Sequence, residues 1–251
     1  MKYLINNSTD PHFNMAFDEW CLEHLDVTEP VFYLWRNRPS VIIGLNQNAE
    51  TEVNLKYLEE HGILLARRVT GGGAVYHDLQ NMNYSIIGHD VDTTPFVNAL
   101  RALGVDAERT GRNDIFVDGK KISGYAKRVW KDRVIVHGTL MYDVDIDTLT
   151  QALATPESKL TRKGIASVRS RVTNLKDYLP RFKNLDEVQA ALHDLLAAGD
   201  PCISLSEENI KKSRSSRIPN SPRTPGTSRQ SAESFSKSQQ YCYNICKNVI
   251  I

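Results

Sequence analysis

The chain has 251 residues, of which 41% are apolar and 8% aromatic, and its 31 basic and 30 acidic side chains leave a formal net charge of +1. This near-neutral balance argues against a dedicated nucleic-acid binder. No stretch approaches the roughly 18–20 consecutive apolar residues that a membrane-spanning helix needs, and the N-terminus lacks the apolar core of a signal peptide. The sequence predicts a cytoplasmic protein without a membrane or nucleic-acid partner.

The net charge conceals a division of the chain into two parts. Residues 1–210 carry 23 basic and 29 acidic side chains, a net charge of −6, whereas residues 211–251 carry 8 basic and 1 acidic, a net charge of +7. The second part is rich in Ser and poor in large apolar side chains, so it cannot bury enough surface to offset its ordering entropy. We predict one catalytic domain over residues 1–205 and a disordered tail over residues 206–251.

The first half of the chain predicts one amphipathic helix followed by short strands. Asp10 is a favourable helix cap and Pro11 suits the first helical position. Apolar residues then recur with helical spacing at Phe13, Ala16, Phe17 and Trp20. Further along, the pattern predicts strands at 31–36, 41–44 and 63–66, with one helix over 52–60.

The second half predicts more strands than helices. Strands are expected at 74–76, 84–87 and 134–142, and helices at 95–103, 147–153 and 186–197. Asp118-Gly119 joins two β-type runs and favours a type I′ hairpin turn. Helices mixed with hairpins predict an α/β (α+β) fold whose sheet is not purely parallel.

The most informative block is Arg67-Arg68-Val69-Thr70-Gly71-Gly72-Gly73-Ala74-Val75-Tyr76-His77-Asp78. Three consecutive glycines allow a tight turn and close approach of the backbone to a ligand, and their N–H groups can cradle a phosphate. No Gly-Lys-Ser/Thr follows, so the block is not a P-loop. The pattern alone leaves open a structural turn and an anion-binding loop.

Two further blocks carry charge. Gly111-Arg112-Asn113-Asp114 directly precedes the predicted hairpin, and Lys121-Ile122-Ser123-Gly124 begins its return strand. Asn113 and Asp114 suit a hydrated Mg²⁺, and Lys121 is either a fixed positive charge or a solvated surface lysine. Residues 164–174 contain Ser167, Arg169 and Arg171 and predict either a solvated loop or one that closes over a nucleotide.

Taken together, these blocks resemble the lipoate-protein ligases. The glycine block, Gly-Arg-Asn-Asp, Lys-Ile-Ser-Gly, His137-Gly138-Thr139-Leu140 and residues 167–174 occur in the order and rough spacing of that family. The resemblance extends from about residue 3 to about residue 200. It implies the biotin/lipoate ligase fold, with a central mixed, largely antiparallel sheet flanked by helices.

The resemblance also implies a reaction in two steps. ATP activates lipoate to lipoyl-AMP, and a lysine of an apo lipoyl domain then takes the lipoyl group. The expected acceptors are the lipoyl domains of 2-oxoacid dehydrogenase complexes and the glycine cleavage H protein. Many bacterial members carry a C-terminal accessory domain, and some relatives that lack it need a separate accessory protein. An alternative is that this chain is a ligase domain that depends on such a protein.

The family's functional positions map onto this sequence residue by residue. Lys121 matches the catalytic lysine. The residues implied to bind ATP and the adenylate are Arg68, Gly73, Ala74, Val75, Tyr76, Lys121, Ser167 and Arg169. Those implied to bind lipoate are Gly72, Gly73, His77 and Lys121, and those near Mg²⁺ are Asn113 and Asp114.

Three alternatives remain open. An octanoyl or lipoyl transferase shares the fold and the lysine motif but works without ATP, and its covalent route needs a cysteine, which is absent near Lys121. A biotin ligase would carry a Gly-Arg-Gly-type loop in place of the triple glycine. A non-catalytic lipoyl binder would not need the intact Arg68 and Lys121. A separate hypothesis is that the tail is an out-of-frame or truncated reading of a longer gene.

Overall fold

The computed structural model describes residues 1–111, 113–153 and 171–203. The strands are β1 Lys2–Tyr3, β2 Val31–Arg36, β3 Ser40–Ile43, β4 Leu64–Arg67, β5 Val75–His77, β6 Asn81–Gly88, β7 Glu108–Thr110, β8 Asp114–Val117, β9 Lys120–Trp130 and β10 Arg133–Met141. The α-helices are α1 Pro11–His24, α2 Ala49–Glu52, α3 Leu55–Glu60, α4 Thr94–Ala102, α5 Ile146–Ala152 and α6 Leu185–Ala197. A 3₁₀ turn covers Lys176–Tyr178.

The strands form two sheets within these described ranges. The larger has the order β1-β2-β6-β10-β9-β8-β7, and all its neighbours are antiparallel except β1 and β2. The smaller has the order β4-β3-β5, with β3 and β4 parallel. The predicted mixed, largely antiparallel sheet flanked by helices is therefore confirmed.

The two faces of the larger sheet bury different elements because successive side chains of a strand point to opposite faces. On one face, Val134 and Val136 of β10 belong to the apolar cluster that includes residues of α4 and α6. On the other face, Ile135 lies in the cluster of α1. This second face also carries His137, which makes the surroundings of α1 polar at one point.

Local sequence signals account for several of these elements. Asp10 accepts hydrogen bonds from the N–H groups of His12 and Phe13, which caps α1 as predicted. Asp118 and Gly119 have φ angles of 50° and 70°, as a type I′ turn requires.

The helix predicted over 52–60 is wrong in detail, because the chain forms α2 and α3 with a break at Val53. Val53 has an extended backbone and Asn54 caps α3 through Tyr57 N–H. Val53 is buried in an apolar cluster, so its burial overrides the helical pattern.

Among the described residues, none of the helices combines the length and the apolar character that a membrane span requires.

Candidate functional site

A cleft opens between β9 and β10 of the larger sheet and the glycine-rich segment that links β4 to β5. It encloses about 630 Å³ when the space open to solvent is counted. Most of the predicted site residues line it, namely Arg68, Gly72, Gly73, Ala74, Val75, His77, Asn113 and Lys121. Arg68 and Lys121, which are more than fifty residues apart in the chain, therefore meet at one site. Ser167 and Arg169, and the predicted tail, lie outside the described residues.

Lys121 reaches the cleft because β9 contains a bulge. Phe116 of β8 pairs with Lys121 and Ile115 pairs with Ser123, so Ile122 has no partner on β8. An extra residue shifts the side-chain alternation by one position, which brings Lys121 onto the face of Gly124. A Cβ atom at Gly124 would lie 3.0 Å from Lys121 Nζ. The Lys-Ile-Ser-Gly sequence therefore combines a bulge with a space that only glycine leaves open.

The ammonium group of Lys121 is paired with a carboxylate. Asp114 Oδ1 lies 2.7 Å from Lys121 Nζ, and the two side chains are 29% and 35% exposed. Asp114 pairs with Gly124 across the strands. The Asp114 side chain therefore projects on the same face of the sheet as that of Lys121. The pair can be opened by a ligand at little cost, because partly exposed ion pairs contribute about 0–1 kcal/mol.

The glycine-rich loop needs a glycine at Gly72 because of its backbone. Gly72 has a φ of +100°, in the region that residues with a side chain rarely adopt. Its carbonyl oxygen also approaches Gly44, at the end of β3, so closely that a Cβ atom on Gly44 would lie 2.3 Å away. Gly44 thus allows the loop to rest directly on the smaller sheet.

Arg68 organises this loop from within. Arg68 is 7% exposed, and its guanidinium group donates hydrogen bonds to the carbonyl oxygens of Ile42, Gly71 and Gly73 at 2.8–3.2 Å. Burial lowers the pKa of Arg68 to about 10, so the group stays charged near neutral pH. Arg68 supplies positive charge to the cleft wall and also satisfies the carbonyl oxygens of Gly71 and Gly73 in the loop.

A Gly44→Ala variant should distort the loop, because the added methyl group has to displace the Gly72 carbonyl. We expect the free energy of unfolding in urea to fall by about 1–3 kcal/mol, as for an overpacked core. Gly71→Ala is the matched control, since a Cβ atom there has no neighbour within 4 Å. Equal stability of the two variants would contradict the close approach of Gly44 and Gly72.

His77 presents a buried nitrogen without a partner. Asn37 Nδ2 lies 3.0 Å from His77 Nδ1, and His77 Nε2 has no hydrogen-bond partner among the described residues. In the neutral ring, Nδ1 accepts from the amide and Nε2 carries the proton. His77 is among the residues that line the cleft, so Nε2–H is a buried, unused donor next to the ligand space.

The burial of His77 should make stability depend on pH. Burial, together with the nearby charges of Arg68 and His137, lowers the pKa of His77 to about 3. In the unfolded chain a histidine takes up its proton near pH 6.5, so the unfolded state is favoured as pH falls from 6.5 towards 3. We expect this residue to remove about 2 kcal/mol of stability at pH 5 relative to pH 7.5.

Urea unfolding of wild type and His77→Gln at both pH values tests this prediction. The variant should lose less stability on acidification than wild type. His61→Gln serves as the control, because His61 is exposed. If His77→Gln and wild type lost the same stability, His77 would not be the source.

A buried polar network behind the cleft is absent from the sequence-based predictions. His137 Nδ1 donates to Asp18 Oδ2 at 2.5 Å, and His137 Nε2 lies 2.7 Å from Thr70 Oγ1. Asp18 also accepts hydrogen bonds from Tyr33 and from Ser85, the latter at 2.8 Å. Asp18 and His137 lie on elements more than a hundred residues apart, and the motif containing His137 was the only signal in the sequence.

This network connects α1 to the glycine-rich loop. Thr70 Oγ1 accepts from Arg68 Nε at 3.0 Å, which leaves its hydroxyl proton for His137 Nε2. The neutral imidazole therefore carries its proton on Nδ1, towards Asp18. A single chain of hydrogen bonds fixes the orientation of Asp18, His137, Thr70 and Arg68 at the cleft.

Two site predictions differ in detail from the structure. Tyr76 points away from the cleft into the cluster of α3 and β3, because Val75 and His77 occupy the cleft face of β5. Asp114 contacts Lys121 without lining the cleft.

Of the predicted closing loop, residues 171–174 are described, and Thr173 N–H donates to the Lys121 carbonyl at 3.0 Å.

Comparison with known proteins identifies the family. A sequence model described as "Lipoyl protein ligase A/B catalytic domain" matches residues 10–197. The chain belongs to this family. The relative "Lipoate-protein ligase LplJ" of Bacillus subtilis is 46% identical over 195 residues, which cover 74% of this chain and 59% of that protein. The chain thus spans less than two thirds of the length of this lipoate-protein ligase.

Solved structures agree with the family assignment. An archaeal lipoylation system from Thermoplasma acidophilum, described as a bi-partite lipoate protein ligase and its E2 lipoyl domain, matches with a TM-score of 0.73 and 33% identity, covering 84% of this chain and 90% of that chain. A lipoate-protein ligase A bound with ATP matches with a TM-score of 0.70 and 31% identity, covering 85% and 92%. The lipoyl ligase family therefore shares the fold that positions this cleft.

Proposed function

We propose that this chain is the catalytic domain of an ATP-dependent lipoate-protein ligase. It activates lipoate to lipoyl-AMP and transfers the lipoyl group to a lysine of an apo lipoyl domain. The observation that carries the proposal is the position of Lys121 Nζ in the same cleft as the glycine-rich loop. Family membership and the relative solved with bound ATP support the use of lipoate and ATP.

Lys121 is the proposed catalytic residue in the first step. A lipoate carboxylate oxygen attacks the α-phosphorus of ATP, and pyrophosphate leaves. Negative charge builds up on both reactants, and a positive group held between them lowers the barrier. When the substrates enter, Lys121 exchanges Asp114 for the carboxylate and the phosphate. In the second step the acceptor amine attacks the carbonyl carbon, and AMP leaves.

The glycine-rich loop is the proposed cradle for the adenylate. The proposed nucleotide contacts are the backbone groups of Gly72, Gly73, Ala74 and Val75, which line the cleft, and the adjoining backbone of Tyr76, with the charge of Arg68 beside them. His77 Nε2–H is a proposed donor to the lipoyl carboxylate side of the ligand. Ser167 and Arg169 are assigned to a loop over the adenylate on resemblance alone, and such a loop would exclude water.

Asn113 and Asp114 are the proposed Mg²⁺ ligands. Their donors, one amide and one carboxylate, suit Mg²⁺, which takes one or two carboxylates and completes its shell with water and substrate phosphates. No group of three or more His, Cys, Asp or Glu side chains in the described ranges could hold a metal ion by itself. A bound Mg²⁺ would neutralise phosphate charge next to Lys121.

The proposed partners follow from the acceptor chemistry. They are the lipoyl domains of 2-oxoacid dehydrogenase complexes and the glycine cleavage H protein, together with a separate accessory protein. The bi-partite archaeal relative, solved with its E2 lipoyl domain, supports such an arrangement. We place the catalytic domain at residues 1–205, a basic tail at 206–251 and the enzyme in the cytoplasm, where ATP is available.

Incubation of the chain with lipoate, Mg²⁺ and an apo lipoyl domain, with and without ATP, tests the function. We expect a mass gain of one lipoyl group on the acceptor only with ATP. Transfer from octanoyl carrier protein without ATP would overturn the ligase in favour of a transferase. Of the described cysteines, Cys21 is buried and Cys202 exposed, and neither lines the cleft. A parallel reaction with a candidate accessory protein shows whether adenylation depends on it.

A further inference from the structure

One edge of β9 has no strand beside it within the described ranges. Residues 120–124 of β9, except the bulged Ile122, pair with β8, and residues 125–130 pair with β10 on the other side. Since β8 begins at Asp114, which pairs with Gly124, the side of β9 facing away from β10 has no strand beside it beyond Tyr125 in the described ranges. An open edge carries unpaired N–H and C=O groups that a further strand can bond.

The hydrogen bonding identifies the residues that face this edge. Tyr125 N–H donates to the carbonyl of Asn113 at 2.8 Å, so Tyr125 directs its backbone groups away from β10. In an antiparallel strand these directions alternate with a period of two. Lys127 and Val129 therefore direct their N–H and C=O groups outward. Lys127 is exposed, and Val129 is 62% exposed, the largest fraction among the exposed large apolar residues.

The open edge adjoins the cleft. Tyr125 and Ala126 line the cleft, and Lys121 lies on the same strand. Lys127 lies three residues from Gly124, which lines the cleft, and three residues of strand span about 10 Å, so a strand bonded at Lys127 lies about 10 Å from the cleft lining. Arg128 fixes the strand to the loop by donating to the Val69 carbonyl at 3.1 Å. A partner bound here would be held at a defined distance from the adenylate.

The charge of this edge selects its occupant. Residues 126–133 contain four basic side chains, Lys127, Arg128, Lys131 and Arg133, and one acidic side chain, Asp132, which gives a local charge of +3. The rest of residues 1–210 has 19 basic and 28 acidic side chains, a net charge of −9. Two copies of this edge would bring like charges together, which is unfavourable in paired strands.

We propose that residues 126–130 dock the acceptor lipoyl domain by strand addition, through an acceptor strand that carries acidic side chains. Main-chain bonds to Lys127 and Val129 provide affinity, as in other β-augmentation complexes. The basic side chains select the acidic strand and orient it. This inference rests on the proposed function, and it concerns only the second half-reaction.

A proline substitution tests the edge. Val129→Pro removes an N–H group that faces outward, so the ladder with β10 keeps its bonds. Val129→Thr is the matched control, because it retains the N–H and a β-branched side chain. We expect Val129→Pro to raise the KM for the apo lipoyl domain about tenfold, with pyrophosphate release in the first step unchanged. Lys127→Glu should raise the same KM.

Hydrogen exchange separates this proposal from the function itself. The amides of Lys127 and Val129 should gain protection when an acidic apo lipoyl domain is added, even if the chain forms no lipoyl-AMP. Unchanged acceptor KM in Val129→Pro would overturn the proposal. Protection of both amides without the acceptor would also overturn it, since another part of the chain or a second copy would then cover the edge.

Discussion

A Lys121→Met variant should form lipoyl-AMP about 10²–10³ times more slowly than wild type while keeping its fold. Removal of one preorganised charge from a site of developing negative charge has an effect of this size. Methionine retains the apolar length of the side chain over Gly124. The ion pair with Asp114 is partly exposed, so its loss should change the free energy of unfolding by less than about 1 kcal/mol.

Lys120→Met provides the comparison for this result. Lys120 is adjacent in sequence and exposed, and it does not line the cleft. ATP-dependent pyrophosphate release and thermal unfolding should be measured for both variants. Wild-type pyrophosphate release by Lys121→Met would remove the catalytic assignment, whereas loss of activity together with loss of the folded state would indicate a structural effect.

The fold was largely predictable because its strongest local signals agree with its tertiary contacts. Asp10-Pro11 starts α1, and Asp118-Gly119 forms a hairpin turn with positive φ at both residues. The error at 52–60 arose where burial competes with helical spacing, at Val53. Strand order was beyond local patterns, since β6 pairs with β2 and β10 across long stretches of chain.

The segments that line the cleft were predictable where they contain short sequence motifs. The glycine block and Lys-Ile-Ser-Gly each marked a segment that lines the cleft. No local pattern indicated that Arg68 bonds the loop's own carbonyls, because that contact depends on the turn at Gly72. Asp18 was missed for a similar reason. An acidic residue inside an amphipathic helix looks like a surface residue until the partner strand is in place.

Removal of the buried Asp18 carboxylate should have the second large effect, a loss of stability. An Asp18→Ala variant should lower the free energy of unfolding by about 3 kcal/mol or more, since three buried donors lose their acceptor and each unpaired donor costs about 1–3 kcal/mol. Asp18 is 1% exposed, so water does not replace the lost bonds. Urea unfolding measures the change, and the exposed Asp90→Ala should stay within about 0.5 kcal/mol of wild type.

Asp18→Asn separates positioning from stability. Its amide oxygen still accepts from Tyr33 and Ser85, but its amide nitrogen donates towards His137, which then has to move its proton from Nδ1 to Nε2. Nε2–H would donate to Thr70, and the Thr70 hydroxyl would turn its proton elsewhere. We expect a changed His137 tautomer in ¹⁵N NMR and a raised KM for lipoate. A wild-type tautomer with a raised KM would mean that Asp18 acts on the cleft by packing alone.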